Sequence, residues 1–459
     1  AACAGVFVEA AASAPTAVPG AKLEVATQAL VRAGQALSFE SVRVGEVQGT
    51  AASGKLSVDA PTKLTSPFFL EQAPGKGTWT LDEVAPFNAP QLPAALQATF
   101  TFKAGTQALV LTRDVIFKWV DPTVGERTRP LEVVPPVVAK LSEPLLAFTD
   151  AAAKELVVTL VANADAQTGE APVTVPEGFA VSPAKLTWNL AKKGDEVAVK
   201  LAVKRTTARA VGELAIDLKT LTRVDYPHIP MQVVLAPARV KLVPLELKRG
   251  RARKLGYVVG AGDDVPQALR QAGYELTVLG DEALRTENLA RFDAIVVGIR
   301  AYNVNPRLAA AYPRLMQYVK DGGVLVAQYN TRNWLSTVPA ELGPFPFEIS
   351  HDRVTDEDAE VTFELPKHPV LTGPNALTAA DFQGWVQERG LYFGAKVDAR
   401  YELPLSMHDS GEAPLKGSLL VAKHGKGRFV YTGLAFFRQL PAGVPGAYRL
   451  FANLLDRGS

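Results

Sequence analysis

The feature that most limits the fold of this chain is a change of hydrophobic period near Lys254. Upstream, apolar and polar residues alternate, as in Lys22-Leu-Glu-Val-Ala, Leu37-Ser-Phe-Glu-Ser-Val-Arg-Val and Ala98-Thr-Phe-Thr-Phe-Lys. A period of two puts one face of a strand in a core and the other in water. Downstream come near-continuous apolar runs: Lys254-Leu-Gly-Tyr-Val-Val-Gly, Phe292-Asp-Ala-Ile-Val-Val-Gly and Val324-Leu-Val-Ala-Gln. Segments of helical spacing separate them, at 265–272, 282–290 and 306–320, with a shorter strand at 274–279. Strand and helix in alternation predict a parallel sheet covered on both faces. Strands at 418–423 and 427–432 and a closing helix at 446–455 complete the pattern.

The chain has 459 residues, which at roughly 100–200 residues per domain is about three domains. The expectation is multidomain: a β-sandwich over 1–129, an immunoglobulin-like β-sandwich over 130–245, and an α/β domain over 250–459. The second sandwich rests on short strands at regular spacing, such as Glu155-Leu-Val-Val-Thr-Leu-Val-Ala and Glu196-Val-Ala-Val-Lys-Leu-Ala-Val-Lys. The Pro-rich stretch 85–93 cannot be helix. Residues 239–253 read as a basic, strand-like connector into the α/β domain.

Forty-nine basic residues balance 47 acidic ones, for a formal net charge of +2 with no long run of one sign. Nucleic acid is therefore not expected as a partner, nor is a polybasic membrane anchor. No stretch is long and apolar enough for a transmembrane segment. Cys3 is the single cysteine, which excludes an internal disulfide and a Cys-rich zinc site. Ala1-Ala2-Cys3 lacks the preceding apolar residue of a lipoprotein cleavage box, and Cys3 reads as a small buried residue. The chain opens on Ala1 rather than Met, so removal of an upstream piece is expected.

In open parallel sheets, ligands bind beyond the carboxyl ends of the strands. Four loops lie there: Gly260-Ala-Gly-Asp-Asp-Val-Pro, Gly298-Ile-Arg-Ala-Tyr-Asn, Gln328-Tyr-Asn-Thr-Arg and Gly433-Leu-Ala-Phe-Phe-Arg. The candidate ligand-binding rim is Arg300, Tyr302, Asn303, Gln328, Asn330 and Arg438, facing Asp263 and Asp264. The alternative is a structural network, with one aspartate capping the first helix and Arg300 paired to a carboxylate. Gly260-Ala-Gly lacks the third glycine of a dinucleotide fingerprint, and Asp263 and Asp264 would repel a pyrophosphate.

A second candidate is Asp381-Phe-Gln-Gly-Trp-Val-Gln-Glu-Arg-Gly-Leu-Tyr-Phe, where the aromatic residues Trp385, Tyr392 and Phe393 alternate with the polar residues Gln387, Glu388 and Arg389. Such mixtures line sugar clefts, and they also occur where a loop packs on a sheet edge. The acidic loop Ser350-His-Asp-Arg-Val-Thr-Asp-Glu-Asp lacks the EF-hand pattern and reads as solvated. His368 reads as a turn residue and His424 as part of a hairpin; five scattered histidines make no zinc motif. No metal, cofactor or catalytic residue is assigned. There is no Gly-x-Ser-x-Gly elbow.

Several of these segments resemble, in order, the C-terminal region of large bacterial PIG-L (LmbE-like) deacetylases. The matching stretches are Gly260-Ala-Gly-Asp-Asp-Val-Pro, Gly298-Ile-Arg-Ala-Tyr-Asn, Gln328-Tyr-Asn-Thr, Trp385-Val-Gln-Glu-Arg-Gly-Leu-Tyr-Phe and Phe436-Phe-Arg-Gln-Leu-Pro-Ala-Gly-Val-Pro-Gly. Residues 155–203 are similar to a NEW3-type sandwich. The α/β domain is similar to flavodoxin-like folds of the class I glutamine amidotransferase-like and ThuA-like kinds. Where an amidotransferase-like fold places its nucleophile, this chain has Gln328-Tyr329-Asn330. The family's His-Pro-Asp-Asp zinc motif is not present: His368-Pro369 continues as Val370-Leu371, and Asp263-Asp264 follows Gly262.

The resemblance implies a non-catalytic accessory region lying downstream of a deacetylase domain in the same precursor. It implies a glycan or N-acetylated sugar as ligand and an extracytoplasmic location, in the periplasm, at the cell envelope or secreted. Two alternatives stand beside it. One is a ThuA-like sugar-metabolism enzyme using Asp263, Asp264 and Arg300; the other is a cell-envelope structural protein.

Overall fold

The computed structural model describes residues 5–32, 37–70, 72, 75, 77–81, 94–332, 338 and 341–457. Cys3 and the Pro-rich stretch 85–93 lie outside them. The protein is multidomain, and most of its regular structure is β-sheet.

In the strand Lys22–Val31, exposed and buried residues alternate, with Leu23, Val25, Thr27 and Ala29 inward. It lies between Val6–Ala12 and Ser53–Asp59 in a five-stranded sheet that continues through Ile116–Asp121 to Gly125–Pro130. A four-stranded sheet faces it, ordered Val47–Gly49, Ser38–Val44, Gln97–Ala104, Gln107–Asp114. Val8 and Val25 from one sheet share a core with Val42, Val44, Phe100 and Phe102 from the other. Phe100 and Phe102 are fully buried, each contributing about 1.5–3 kcal/mol relative to exposure.

The second sandwich pairs two more sheets. One is ordered Val137–Leu141, Lys154–Ala162, Glu196–Arg205, Phe179–Ser182. The other is ordered Leu145–Phe148, Gln232–Pro244, Gly212–Val224, Gln167–Thr174, Lys185–Leu190. Residues 239–244, expected in a connector, are instead the end of the strand Gln232–Pro244. Val240 and Leu242 are fully buried and Arg239 is exposed, so the period of two continues through a stretch whose basic residues suggested a linker.

The last unit is built on a six-stranded sheet. In chain order its strands are Lys254–Val258, Glu275–Val278, Ala294–Val297, Val324–Gln328, Leu419–His424 and Gly427–Thr432. In space the order is second, first, third, fourth, sixth, fifth. The first five positions pair in parallel, and the fifth strand closes the edge antiparallel. Ala294–Val297 and Val324–Gln328 are buried at every residue, as strands covered on both faces must be.

The helix expected over 306–320 is divided into a 3-10 turn, Pro306–Ala311, and an α-helix, Tyr312–Lys320. Pro313 is the cause: it has no N–H, and its ring is tolerated only in a first α-helical turn. The helix stops at Asp321-Gly-Gly, where Gly322 takes φ +118° and Gly323 N–H donates to the Tyr318 carbonyl at 2.9 Å.

The second sandwich and the α/β unit share one core. Leu145, Ala147 and Val243 pack into the cluster that holds Tyr257, Phe436 and Tyr448. Lys154 Nζ donates to the Gln271 carbonyl at 2.9 Å, and Lys241 Nζ to that of Ala442 at 2.5 Å. Among the described residues no helix is long and apolar enough to cross a membrane.

Candidate functional site

The carboxyl ends of the parallel strands open on loops 259–264, 298–303, 329–332 and 433–438. The connection leaves the sheet in opposite directions from the first and third strands, which is where such sheets usually hold a ligand. Here that crevice is closed by backbone. Ala261 N–H donates to the Ile299 carbonyl at 2.9 Å, and Gly298 N–H to that of Val258 at 2.8 Å. A Cβ on Gly260 would stand 1.9 Å from the Ile299 oxygen, and one on Gly298 2.1 Å from Asp263 Oδ2. Glycine at both positions is what lets the loops meet.

Asp263 completes the seal. Its Oδ2 accepts from the Tyr257 hydroxyl at 2.7 Å and from Gly260 N–H at 3.3 Å, while Oδ1 accepts from Val265 N–H at 3.2 Å. Gln328 Nε2 donates to the Tyr257 hydroxyl at 3.0 Å. Burial pushes the Tyr257 hydroxyl well above its ordinary value. Burial also raises the Asp263 carboxyl, against the opposing pull of its hydrogen bonds from Tyr257, Gly260 and Val265.

The amides of the third and fourth loops stitch those loops together. Asn303 Oδ1 accepts from Thr331 N–H, and its Nδ2 donates to the Thr331 carbonyl, both at 2.8 Å. Asn330 Oδ1 accepts from Tyr302 N–H at 3.1 Å, and its Nδ2 donates to the Gln328 carbonyl at 3.2 Å. Tyr302, Gln328 and Asn330 are buried. These expected ligand residues are therefore engaged in holding the rim, although Gln328 Oε1 is buried without a partner.

The expected meeting of Arg300 with Asp263 and Asp264 does not form. Asp263 is committed to Tyr257, and Asp264 is exposed on the far side. There it lines a 420 Å³ cleft with Glu143, Gln267, Gln271, Leu440 and Tyr448, between the first helix and the second sandwich. The Asp264 side chain does not cap that helix; the bond to Val265 comes from Asp263.

These bonds leave uncovered the part of the rim over the third, fourth and sixth strands, where Gln387 is exposed and Arg300, Glu388, Tyr392, Phe437 and Arg438 are half-buried. Arg300 has φ +55° and ψ +21°, and its N–H donates to the Tyr329 carbonyl at 2.8 Å. The Tyr329 ring lies 5.3 Å from that of Tyr392 and 5.6 Å, edge on, from that of Phe437. Arg438 Nε donates to Glu388 Oε1 at 2.5 Å and its guanidinium covers Phe437. Burial, aided by the Glu388 charge, pushes the Tyr329 hydroxyl up to about 12, while Arg438 and Arg300 act the other way. Gln387, beside Glu388, is exposed and has φ +68°.

Two expected contacts are withdrawn into the core. Trp385 is 3% exposed, stacked on Phe382 and packed against Phe436, with its indole N–H donating to the Asp381 carbonyl at 3.2 Å. Arg389 is 4% exposed; its guanidinium donates to the carbonyls of Ala359 and Phe382 and lies over the Trp385 ring. Buried Gln439 binds the backbone of Val386 and Glu388 from below, which turns Trp385 and Arg389 inward and leaves Gln387 outside.

The acidic loop near His351 is tied to a distant turn: Thr355 and Asp356 N–H groups both donate to Asp409, beyond the strand Leu405–Met407. His368 caps the short helix Pro369–Thr372 through Nδ1, and its Nε2 meets Glu402 at 3.0 Å. Among the described residues no group of three His, Cys, Asp or Glu side chains could hold a metal ion.

The open rim thus brings together the Arg300 guanidinium, the Arg438–Glu388 pair, an exposed amide and the half-buried rings of Tyr392 and Phe437. It can recognise a polar ligand by charge and ring contact. Tyr329 and Phe437 at this rim, and Tyr257 in the sealed part beside it, are the residues that sequence reasoning did not select. A hydroxyl at the end of an apolar strand, six residues before Asp263, was the available signal for Tyr257.

No family model matches the chain, and no curated protein does. Among solved structures, the chain is similar to the β-galactosidase from Rahnella sp. R3, at 15% identity and a TM-score of 0.27, over 43% of this chain and 31% of that one. It is also similar to trypsin-activated α-2-macroglobulin from Escherichia coli, at 10% identity and a TM-score of 0.21, over 60% of this chain and 24% of that one. The chain therefore spans less than a third of either structure. Similarity at this level assigns no family and no activity.

Proposed function

We propose that this chain is a non-catalytic, extracytoplasmic accessory region of a PIG-L/LmbE-type deacetylase acting on N-acetylated sugars. In this reading the second sandwich is an immunoglobulin-like NEW3-type module. The α/β unit is a flavodoxin-like, class I glutamine amidotransferase-like domain whose open rim holds glycan. The observation that carries the reading is the filled turn after the fourth strand. Gln328, Tyr329 and Asn330 are at most 6% exposed there, and the Tyr329 ring is packed against Tyr392 and Phe437. A nucleophile turn must present its side chain to substrate; this one faces protein.

A ThuA-like enzyme is the second reading, and one observation favours it. Arg300, Gln387 and Tyr392 all hold positive φ at the open rim, and backbone strain of that kind concentrates at functional sites. The engagement of Asp263 with Tyr257 weighs against it.

The purified chain, incubated with N-acetylated oligosaccharides and Zn²⁺, is expected to bind them and to release no acetate. Acetate release above the protein-free blank would overturn the accessory reading.

A further inference from the structure

One charged group at the open rim has an unmet need. Arg300 Nε is buried and has no hydrogen-bond partner. The backbone beneath it is fixed on both sides: its N–H donates to Tyr329, and its carbonyl accepts from Asn303 and Val304. Holding a non-glycine residue in the left-handed region costs about 1–2 kcal/mol, so the fold sustains Arg300 there against its own preference. Of the five non-glycine residues with positive φ among the described residues, Arg300, Gln387 and Tyr392 lie on this rim.

The neighbouring arginine shows which group suits the place. Arg438 meets a carboxylate, Glu388, supplied by the chain itself. Glu388, Arg438 and Arg300 all act on the Tyr329 hydroxyl, and Glu388 is bonded to Arg438 rather than to Arg300. A planar guanidinium matches a carboxylate in shape. Half-buried Tyr392 and Phe437 stand beside it, an apolar wall with few polar groups, as in small-ligand sites.

We infer that the open rim binds the carboxylate of an acidic sugar, with Arg300 as its charge partner and Tyr392 and Phe437 against the sugar ring. This rests on the glycan-binding reading above and names the class of glycan. Gln387, exposed beside Glu388, is placed to bind a ring hydroxyl.

The test is calorimetric titration of the full chain with two tetrasaccharides. One alternates glucuronate and N-acetylglucosamine; the other is neutral, N-acetylglucosamine throughout. The acidic one is expected to bind more tightly, with affinity falling as salt rises. Arg300→Gly is expected to weaken it at least tenfold while the melting temperature holds or rises, because glycine suits φ +55°. Equal binding of the two tetrasaccharides, or unchanged binding by Arg300→Gly, overturns the carboxylate inference and leaves the glycan reading standing. Displacement of the acidic sugar by equimolar inorganic phosphate also overturns it. No binding of either tetrasaccharide overturns both.

Discussion

The Tyr257 hydroxyl donates to Asp263 Oδ2 at 2.7 Å and accepts from Gln328 Nε2 at 3.0 Å. This short chain ties the first strand, the loop after it and the end of the fourth strand into one buried unit. It closes the crevice that the sheet topology would otherwise offer a ligand, and leaves the rim near Arg300 and Arg438 as the open part.

Tyr257→Phe removes the shared hydroxyl and leaves a buried carboxylate oxygen and a buried amide short of a partner. A loss of about 1–3 kcal/mol is expected. Urea unfolding followed by far-UV circular dichroism measures it; an unchanged midpoint would show that the chain is not structural.

Asp263 gives a pH signature. Its folded carboxyl is raised above its ordinary value, chiefly by burial. The folded protein therefore holds this proton at a pH where the unfolded chain has released it. The resulting stabilisation is full below the ordinary value and is lost as pH rises through the raised one. Asp263→Asn has no such proton, so wild type should lose stability relative to the variant as pH climbs above about 4. Parallel stability curves through that window would contradict the assignment.

Trp385 and Arg389 belong to the core. Trp385→Ala is expected to cost about 3–5 kcal/mol. Arg389→Met strands the Ala359 and Phe382 carbonyls, at about 1–3 kcal/mol each. Thermal melts of both variants should fall well below wild type. A glycan-binding loss in Trp385→Ala would therefore report unfolding rather than a lost contact.

Gln387→Gly should raise stability by about 0.5–1 kcal/mol, because it relieves a left-handed conformation at an exposed residue, less the added entropy of the unfolded glycine. A chemical denaturation midpoint no higher than wild type would mean that the strain is offset by contacts of the Gln387 side chain.

The local chemistry of the chain determined much of the architecture. Lys22-Leu-Glu-Val-Ala could only be a half-buried strand, because a period of two matches the pleat. The apolar run Ala294–Val297 required cover on both faces. These patterns repeat within a few residues, so propensity and sterics settle them locally.

Tertiary structure alone decided the site. Glu388 and Arg438 are 50 residues apart in the chain, and nothing in either segment names the other. Trp385 and Gln387 share one loop, yet Gln439 turns the first inward and leaves the second outside. Asp263 and Asp264 are adjacent, yet one seals the rim and the other faces the sandwich. In a short loop the direction of a side chain is set by whichever distant element packs against it. That information resides in the assembled core rather than in the residues beside it.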